Sequence, residues 1–219
     1  MKYFESWESF VNLINPLLDG LGVTLTFFIL TLVFALPLGL LLCFGKTSKI
    51  APLRWFCSGY ILLFRGTPLL LQLIFFFFGL PVIGITISRE AAVVVAFSLN
   101  YAAYFAEIYR GGLLSISKGQ YEAAQVLGLK KSTTFSKIIL PQIIKRILPP
   151  ISNEIITLVK DTSLVYAIAV SDLIKEAKTI MLRDMNLMPL VVAAVFYLLL
   201  TTIFTFILNK CEKKLSYYQ

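Results

Sequence analysis

Histidine is missing from the 219-residue sequence, and cysteine occurs only three times. Cys43, Cys57 and Cys211 lie far apart and lack the close spacing of metal ligands or redox pairs. Without histidine, the common metal sites and catalysis by Ser-His-Asp or Cys-His groups are disfavoured. We therefore interpret the cysteines as small apolar packing residues and expect no metal site in this chain.

A phosphate-binding loop of the form G-x-x-x-x-G-K-[ST] is also missing. The most similar string, GLKKST at positions 128–133, lacks the second glycine. The sequence therefore predicts that this chain is not an enzyme and holds no cofactor of its own. Any nucleotide chemistry is expected to come from a partner.

Apolar residues, in contrast, dominate the composition: 58% of the residues are hydrophobic and the mean hydropathy is +0.83. This composition indicates a membrane protein. A helix needs roughly 20 apolar residues to cross a hydrocarbon core about 30 Å thick. Five such stretches are predicted, at about positions 20–44, 56–80, 90–109, 150–170 and 187–208. The predicted fold is all-α, one polytopic domain over positions 1–219 with five transmembrane helices.

The N-terminal positions 1–19 differ from a cleaved signal peptide, because the first 20 residues contain three acids and one lysine. Apolar side chains recur at helical spacing and predict an amphipathic helix lying at the membrane interface. These side chains are Phe4, Trp7, Val11, Ile14 and Leu18. A frayed tail is the alternative.

The formal net charge is +8, and the basic residues are distributed unequally between alternate loops. One side receives Lys46, Lys49, Arg54, Arg110, Lys118, Lys130, Lys131, Lys137, Lys145, Arg146, Lys210, Lys213 and Lys214, and the other Lys2, Arg89, Lys175, Lys178 and Arg183. Basic loops remain in the cytoplasm, so we predict an external N-terminus, an internal C-terminus and a cytoplasmic loop at 110–149. The same rule explains the basic charge without a nucleic-acid partner.

The loop at 110–149 contains a short segment with helical character. Glu122 is expected to begin a helix of about two turns, with its acid in the first turn, and Gly128 to end it. Ala123 and Ala124 provide a small face that another surface can approach. Pro141 is expected to break a second short helix. The alternative is a solvated surface loop with chance helical content.

The spacing of this segment resembles a known motif. Glu122-Ala123-Ala124, three residues, Gly128, nine residues, Ile138, one residue and Leu140-Pro141 match the EAA loop of permease subunits of bacterial ABC importers. In that family the loop forms a coupling helix that binds the cytoplasmic ATPase subunit. The resemblance implies this role for Glu122, Ala123, Ala124 and Gly128.

Further strings resemble the polar amino acid uptake branch of that family: FRGTPLLLQ at 64–72, AYFAEIYRGG at 103–112, GQYEAA at 119–124 and KDTSL at 160–164. The similarity extends over nearly the whole chain. It implies a multi-pass protein of the bacterial inner membrane that pairs with a second, identical or homologous permease chain. The implied partners are two ATP-binding subunits carrying ATP and Mg, and an external amino-acid-binding protein.

Charged residues occur inside the predicted spans, where each costs about 2.5 to 3.5 kcal/mol on insertion scales. They are Arg65, Glu107, Glu154, Lys160 and Asp161. Polar side chains at helical spacing predict a path for a polar solute. The path candidates are Asn100, Tyr104, Asn153, Glu154, Thr157, Lys160 and Asp161. The alternative is that these groups satisfy one another, which we favour for Arg65 and for Glu107 with Arg110.

Gly66, Thr67 and Pro68 interrupt the second predicted span. Proline leaves a backbone carbonyl without its helical partner, and neighbouring hydroxyls are expected to satisfy it. The segment is either a packing kink or a hinge through which the path changes its exposure.

These observations together predict the permease subunit of an ATP-driven importer of polar amino acids. Three in-span acids against two bases mildly favour a cationic substrate such as arginine or lysine. The alternative is a secondary transporter or channel with an intramembrane charge relay. A membrane scaffold without a transport role would leave the in-span charges without a purpose.

Overall fold

The computed structural model describes residue 3 and residues 6–215, and the regular structure in these residues is helical. Nine α-helices follow one another along this part of the chain. They are α1 (Trp7–Thr47), α2 (Ala51–Gly66), α3 (Leu69–Ile74), α4 (Arg89–Leu114), α5 (Lys118–Val126), α6 (Lys131–Thr133), α7 (Leu140–Asp161), α8 (Leu173–Asp184) and α9 (Met188–Leu215). Wider π-helical turns follow α3 and α6, at Phe75–Gly79 and Thr134–Ile139. Tighter 3₁₀ turns occupy Leu80–Ile83 and Thr162–Ile168.

Helix α1 begins where the Ser6 hydroxyl accepts a hydrogen bond from the Ser9 backbone, and it then runs through 41 residues. At 1.5 Å per residue this helix is about 60 Å long, roughly twice the hydrocarbon thickness. The residues from Trp7 onward continue into the first span as one helix, so the described part of 1–19 is not a separate helix, and its location at the membrane interface stays a prediction. Trp7 is largely exposed, as expected for an interfacial aromatic, and Phe4 lies outside the described residues.

The core is organised around α4, which packs against α1, α2, α3 and α7. Phe97, Tyr101 and Phe105 on α4 are almost completely buried. Gly39 on α1 has no side chain because a Cβ there would lie 2.8 Å from the Cβ of Phe105. Close backbone approach at a small residue is the usual way in which membrane helices pack tightly.

The second predicted span is not one straight helix. Helix α2 ends at Gly66, α3 starts at Leu69, and the chain bends by 104° between them. Pro68 has no N–H for a helical hydrogen bond, which explains why the helix breaks here and not elsewhere in this apolar stretch. The span predicted at 56–80, with its interruption expected at Gly66–Pro68, is a bent pair of helices that can still count as one broken span.

Three described helices, α1, α4 and α9, are long and apolar enough to cross a membrane, and the bent pair gives up to a fourth. Helix α7 differs from the predicted span at 150–170 because it begins at Leu140 and ends at Asp161. Its charged residues are Lys145, Arg146, Glu154, Lys160 and Asp161. Hydropathy alone therefore does not identify α7 as a span, and the count of five is not confirmed.

The predicted loop at 110–149 is largely helical. Helix α4 continues to Leu114, and α5 begins at Lys118. The helix therefore starts one turn before Glu122, where its start was predicted, and Glu122 does not lie in the first turn. Gly128 does adopt the left-handed conformation, with a φ of 70°. Pro141 does not break a helix, because it lies in the first turn of α7, where no helical partner for its nitrogen is required.

Helix α8 packs against the N-terminal part of α1 and against α9. The Asp172 carboxylate accepts hydrogen bonds from the backbone N–H groups of Ile174 and Lys175, and thereby caps α8. Burial raises the pKa of Asp172 to about 6 despite these bonds. A Cβ at Gly20 would lie 2.8 Å from the Asp172 carbonyl oxygen, so the approach of α1 requires glycine at this position.

Candidate functional site

A cavity of about 430 Å³ lies between the break in the second span, α4 and α7. It contains five of the seven predicted path residues and two of the three predicted hinge residues. The lining is Thr67, Pro68, Leu69, Leu70, Asn100, Tyr101, Tyr104, Glu154, Thr157, Asp161 and Leu164. Helical spacing explains the contribution of α7, since positions 154, 157 and 161 lie on one helical face.

Asn153 and Lys160 do not line this cavity. Both are exposed in the chain, one residue away from Glu154 and Asp161 respectively. A one-residue step rotates a side chain by about 100° around a helix, which places these two on a different face of α7. Gly66 likewise lies outside this lining and contributes to a neighbouring cavity.

Tyr101 is a lining residue that the sequence analysis missed. Its hydroxyl donates a hydrogen bond of 2.7 Å to Oδ2 of Asp161, and its side chain is almost fully buried. This contact holds the carboxylate of α7 against α4. The two residues lie 60 positions apart, so local spacing gives no signal for the contact.

The break in the second span is stabilised by side-chain amides. The Phe64 carbonyl oxygen, four residues before Pro68, accepts hydrogen bonds from Gln72 Nε2 at 2.9 Å and Asn100 Nδ2 at 3.0 Å. Asn100 Nδ2 also donates to the side-chain Oε1 of Gln72 at 3.0 Å. The expectation that hydroxyls satisfy this carbonyl is therefore corrected. The Thr67 hydroxyl instead donates to the Leu63 carbonyl oxygen and accepts from Gln72.

A second cavity, of about 530 Å³, lies beside the first and shares Tyr104 with it. Its lining residues are Lys46, Ser58, Ile61, Leu62, Arg65, Gly66, Tyr104 and Glu107. The Glu107 carboxylate accepts from Lys46 Nζ and from Arg110 Nη2, each at 2.6 Å. The predicted pairing of Glu107 with Arg110 is thus confirmed, and Lys46 joins it from α1.

Helix α5, the predicted coupling helix, does not expose the whole small face of Ala123 and Ala124 that was expected to contact another protein. Glu122 and Ala123 are exposed, whereas Ala124 is 2% exposed and packs inward. The largest exposed apolar side chains at its C-terminal end are Val126 at 87% and Leu127 at 75%. These two aliphatic residues lie between Ala124 and Gly128, at variable positions of the motif that its spacing does not mark.

The chain matches the family of binding-protein-dependent transport system inner membrane components over residues 35–217. It therefore belongs to that family. It is an amino acid ABC transporter permease subunit, as its relatives indicate, and an integral membrane protein.

The arginine transport system permease protein ArtQ of Bacillus subtilis (strain 168) is 41% identical over 202 residues, which cover 91% of this chain and 92% of that protein. The putative glutamine transport system permease protein GlnP of Rickettsia bellii (strain RML369-C) is 38% identical over 97% of this chain and 98% of that protein. The L-cystine transport system permease protein TcyB of B. subtilis (strain 168) is 36% identical over 97% of this chain and 92% of that protein. These names agree on amino acids and differ in which one.

Among solved structures, an amino acid ABC transporter with histidines is 34% identical, with a TM-score of 0.88 over 95% of this chain and 98% of that chain. The methionine ABC transporter MetNI, in an inward-facing conformation, is 20% identical, with a TM-score of 0.69 over 96% of this chain and 99% of that chain. The second similarity supports the fold alone.

Proposed function

We propose that this chain is the permease subunit of an ATP-driven importer that moves polar amino acids into the cytoplasm, with a preference for cationic ones. The observation that carries the proposal is the first cavity. It contains the carboxylates of Glu154 and Asp161, and no basic side chain occurs among its described lining residues. Two carboxylates in one cavity favour a ligand that brings positive charge. Asn100 and Thr157 add polar groups that an amino acid can contact.

ATP supplies the energy for transport through a separate subunit, which also holds the Mg. We place the contact with that subunit on the coupling surface, defined as Glu122, Ala123, Val126, Leu127 and Gly128. Its support is the match to the EAA loop together with the two exposed aliphatic side chains next to an exposed acid. Ala124 contributes by packing α5 against the rest of the chain.

The proposed assembly places the N-terminus outside and the C-terminus inside the inner membrane of a bacterium. In this arrangement α7 crosses the membrane as a fifth span, with its acids facing the first cavity, which it forms together with α4, and with α9 also packed against it. Exposed apolar side chains on α2 and α9 are available to lipid and to a second permease chain. Two ATP-binding subunits bind inside, and an amino-acid-binding protein docks outside.

Uptake into proteoliposomes tests this function. The chain is reconstituted with its ATP-binding subunits and binding protein, and the uptake of labelled arginine, glutamine and cystine is measured with internal or external ATP and with an imposed membrane potential. We expect uptake that requires ATP on the ATPase side, with arginine preferred. Uptake that follows the potential without ATP would instead support the charge-relay transporter.

A further inference from the structure

The positive charge of Arg65 is only weakly paired with a nearby carboxylate. Glu107 already receives two donors at 2.6 Å, from Lys46 and Arg110, whereas Arg65 Nη1 lies 4.0 Å from the same carboxylate. Among the described residues, no carboxylate lies closer to Arg65. Within 4.0 Å, Glu107 therefore faces three bases, and Arg65 makes the weakest contact with it. Its side chain is 44% exposed, so it remains accessible from the second cavity.

The ring of Tyr104 connects Arg65 to the proposed substrate cavity. The Arg65 guanidinium lies over this ring, 5.1 Å from its centroid, which is the range of a cation–π contact. Tyr104 lines both cavities. The break at Gly66–Pro68 also borders both, since Gly66 lines the second cavity and Thr67 and Pro68 line the first. Tyr104 therefore borders both cavities, one lined by acids and the other by a surplus of bases.

The charges on the two sides of Tyr104 have opposite signs. The first cavity has Glu154 and Asp161, and the second has Lys46 and Arg65 against Glu107. An amino acid also carries both signs, with an ammonium group and a carboxylate on the same carbon atom. A cationic amino acid has two positive groups and one negative group, which matches the two acids of the first cavity and the one surplus base of the second.

We propose that Arg65 is the carboxylate-binding residue of the substrate path: it receives the α-carboxylate of the transported amino acid beside Tyr104, while Glu154 and Asp161 bind its positive groups. This assignment rests on the proposed function. Arginine suits the role because its planar guanidinium binds a carboxylate through two parallel hydrogen bonds, and because Lys46 and Arg110 keep Glu107 neutralised when Arg65 turns away.

The proposal predicts which ligands lose affinity when Arg65 is changed. Binding of L-arginine and of its α-carboxamide, which has no carboxylate, is measured by calorimetry on the complex of this chain with its ATP-binding subunits in nanodiscs. The unmodified complex is expected to bind L-arginine more tightly than the carboxamide by roughly 10- to 150-fold, the range of a hydrogen bond to a charged group. Arg65→Gln should remove that difference and leave carboxamide binding unchanged. Arg65→Lys, which keeps the charge but not the planar geometry, should retain part of it.

Two further variants separate the possible results. Arg54→Gln removes an exposed arginine on the same helix, outside both cavities, and should behave like the unmodified complex. Glu154→Gln should weaken both ligands, because both carry the positive groups. If Arg65→Gln weakens both ligands equally, or leaves the difference intact, the assignment of Arg65 is overturned while the Glu154 result still supports the proposed function. An unmodified complex that binds neither ligand would overturn both.

Discussion

Gln72 and Asn100 make the bend in the second span compatible with a buried environment. Each buried polar atom that lacks a partner costs about 1 to 3 kcal/mol, and the bend leaves the Phe64 carbonyl without its helical donor. The two amides supply two donors to that oxygen and also bond to each other. Gln72 is 8% and Asn100 4% exposed, so solvent cannot replace either partner. The amide cluster therefore fixes the bend and one wall of the substrate cavity together.

The variant Gln72→Leu tests this role. It removes the donors to Phe64 and Thr67 and leaves the Asn100 amide with one partner fewer, so we expect a loss of about 2 kcal/mol or more in stability. The measurement is unfolding of the purified chain in detergent, followed by tryptophan fluorescence. Asn209→Leu, an exposed amide on α9, is the control and should change little. Equal stability of the two variants would mean that the bend does not depend on the amide.

The polar residues of the cavity could be predicted because their signal is local. Glu154, Thr157 and Asp161 recur at helical spacing within one segment, and their cost inside an apolar chain makes them conspicuous. Tyr101 and Gln72 could not be found in this way. Their partners, Asp161 and Asn100, lie 60 and 28 positions away, and only the packing of separate helices brings them together.

Among the helices, α1 shows how glycine controls packing. Gly20 and Gly39 each lie where a Cβ would approach a neighbouring atom to 2.8 Å, whereas Gly22 has nothing within 4 Å. The first two contact the segment before α8 and the buried face of α4. Since all three glycines belong to the same helix, they form a matched set for substitution.

Alanine at these three positions should have effects of opposite sign. Gly20→Ala and Gly39→Ala push α1 away from its neighbours, and we expect them to destabilise the chain by about 1 to 3 kcal/mol, the usual range for overpacking. Gly22→Ala meets open space and gains helix propensity of up to about 1 kcal/mol. Thermal unfolding in detergent measures all three. Destabilisation by Gly22→Ala of the same size would contradict the packing account.

The types of the elements follow from hydropathy, but several boundaries do not. Long apolar runs predict α1, α4 and α9 well, since a membrane span needs little more than length and low polarity. Hydropathy contains no information on direction, however, so the sequence predicts an interruption by a kink or a hinge at Pro68 but not the 104° bend. Helix α7 extends ten residues before position 150 because Leu140 and Ile143 can continue a helix even though the flanking lysines mark a polar segment.

Helix α5 is short, and its surface decides whether it can couple two proteins. Glu122→Lys reverses the charge of an exposed residue without touching the core, so the fold should remain intact. We expect weaker binding of the ATP-binding subunit, or ATP hydrolysis that no longer depends on substrate. Co-purification and ATPase activity measure these effects, with Lys118→Glu at the start of the same helix as the control. Normal transport by Glu122→Lys would count heavily against the coupling surface.

The whole chain combines a rigid frame with one interrupted path. Helices α1 and α4 bury much of each other, while α9 exposes most of its apolar surface and is therefore suited to contact lipid. Both cavities lie next to the only sharp bend between described helices that could form a span. A change in the bend would thus alter the walls of both cavities together, which is what alternating access requires.

The most direct test of the account is substrate-stimulated ATP hydrolysis by the reconstituted complex in liposomes. Glu154→Gln and Asp161→Asn, which keep shape and remove charge, are compared with the unmodified chain and with the exposed control Asp19→Asn across a panel of amino acids. If the cavity selects the substrate, the two path variants should lose stimulation by arginine and lysine, by roughly tenfold relative to glutamine, while Asp19→Asn keeps it. If stimulation follows only the binding protein that is present and the variants match the unmodified chain, the acids are structural and the account is contradicted.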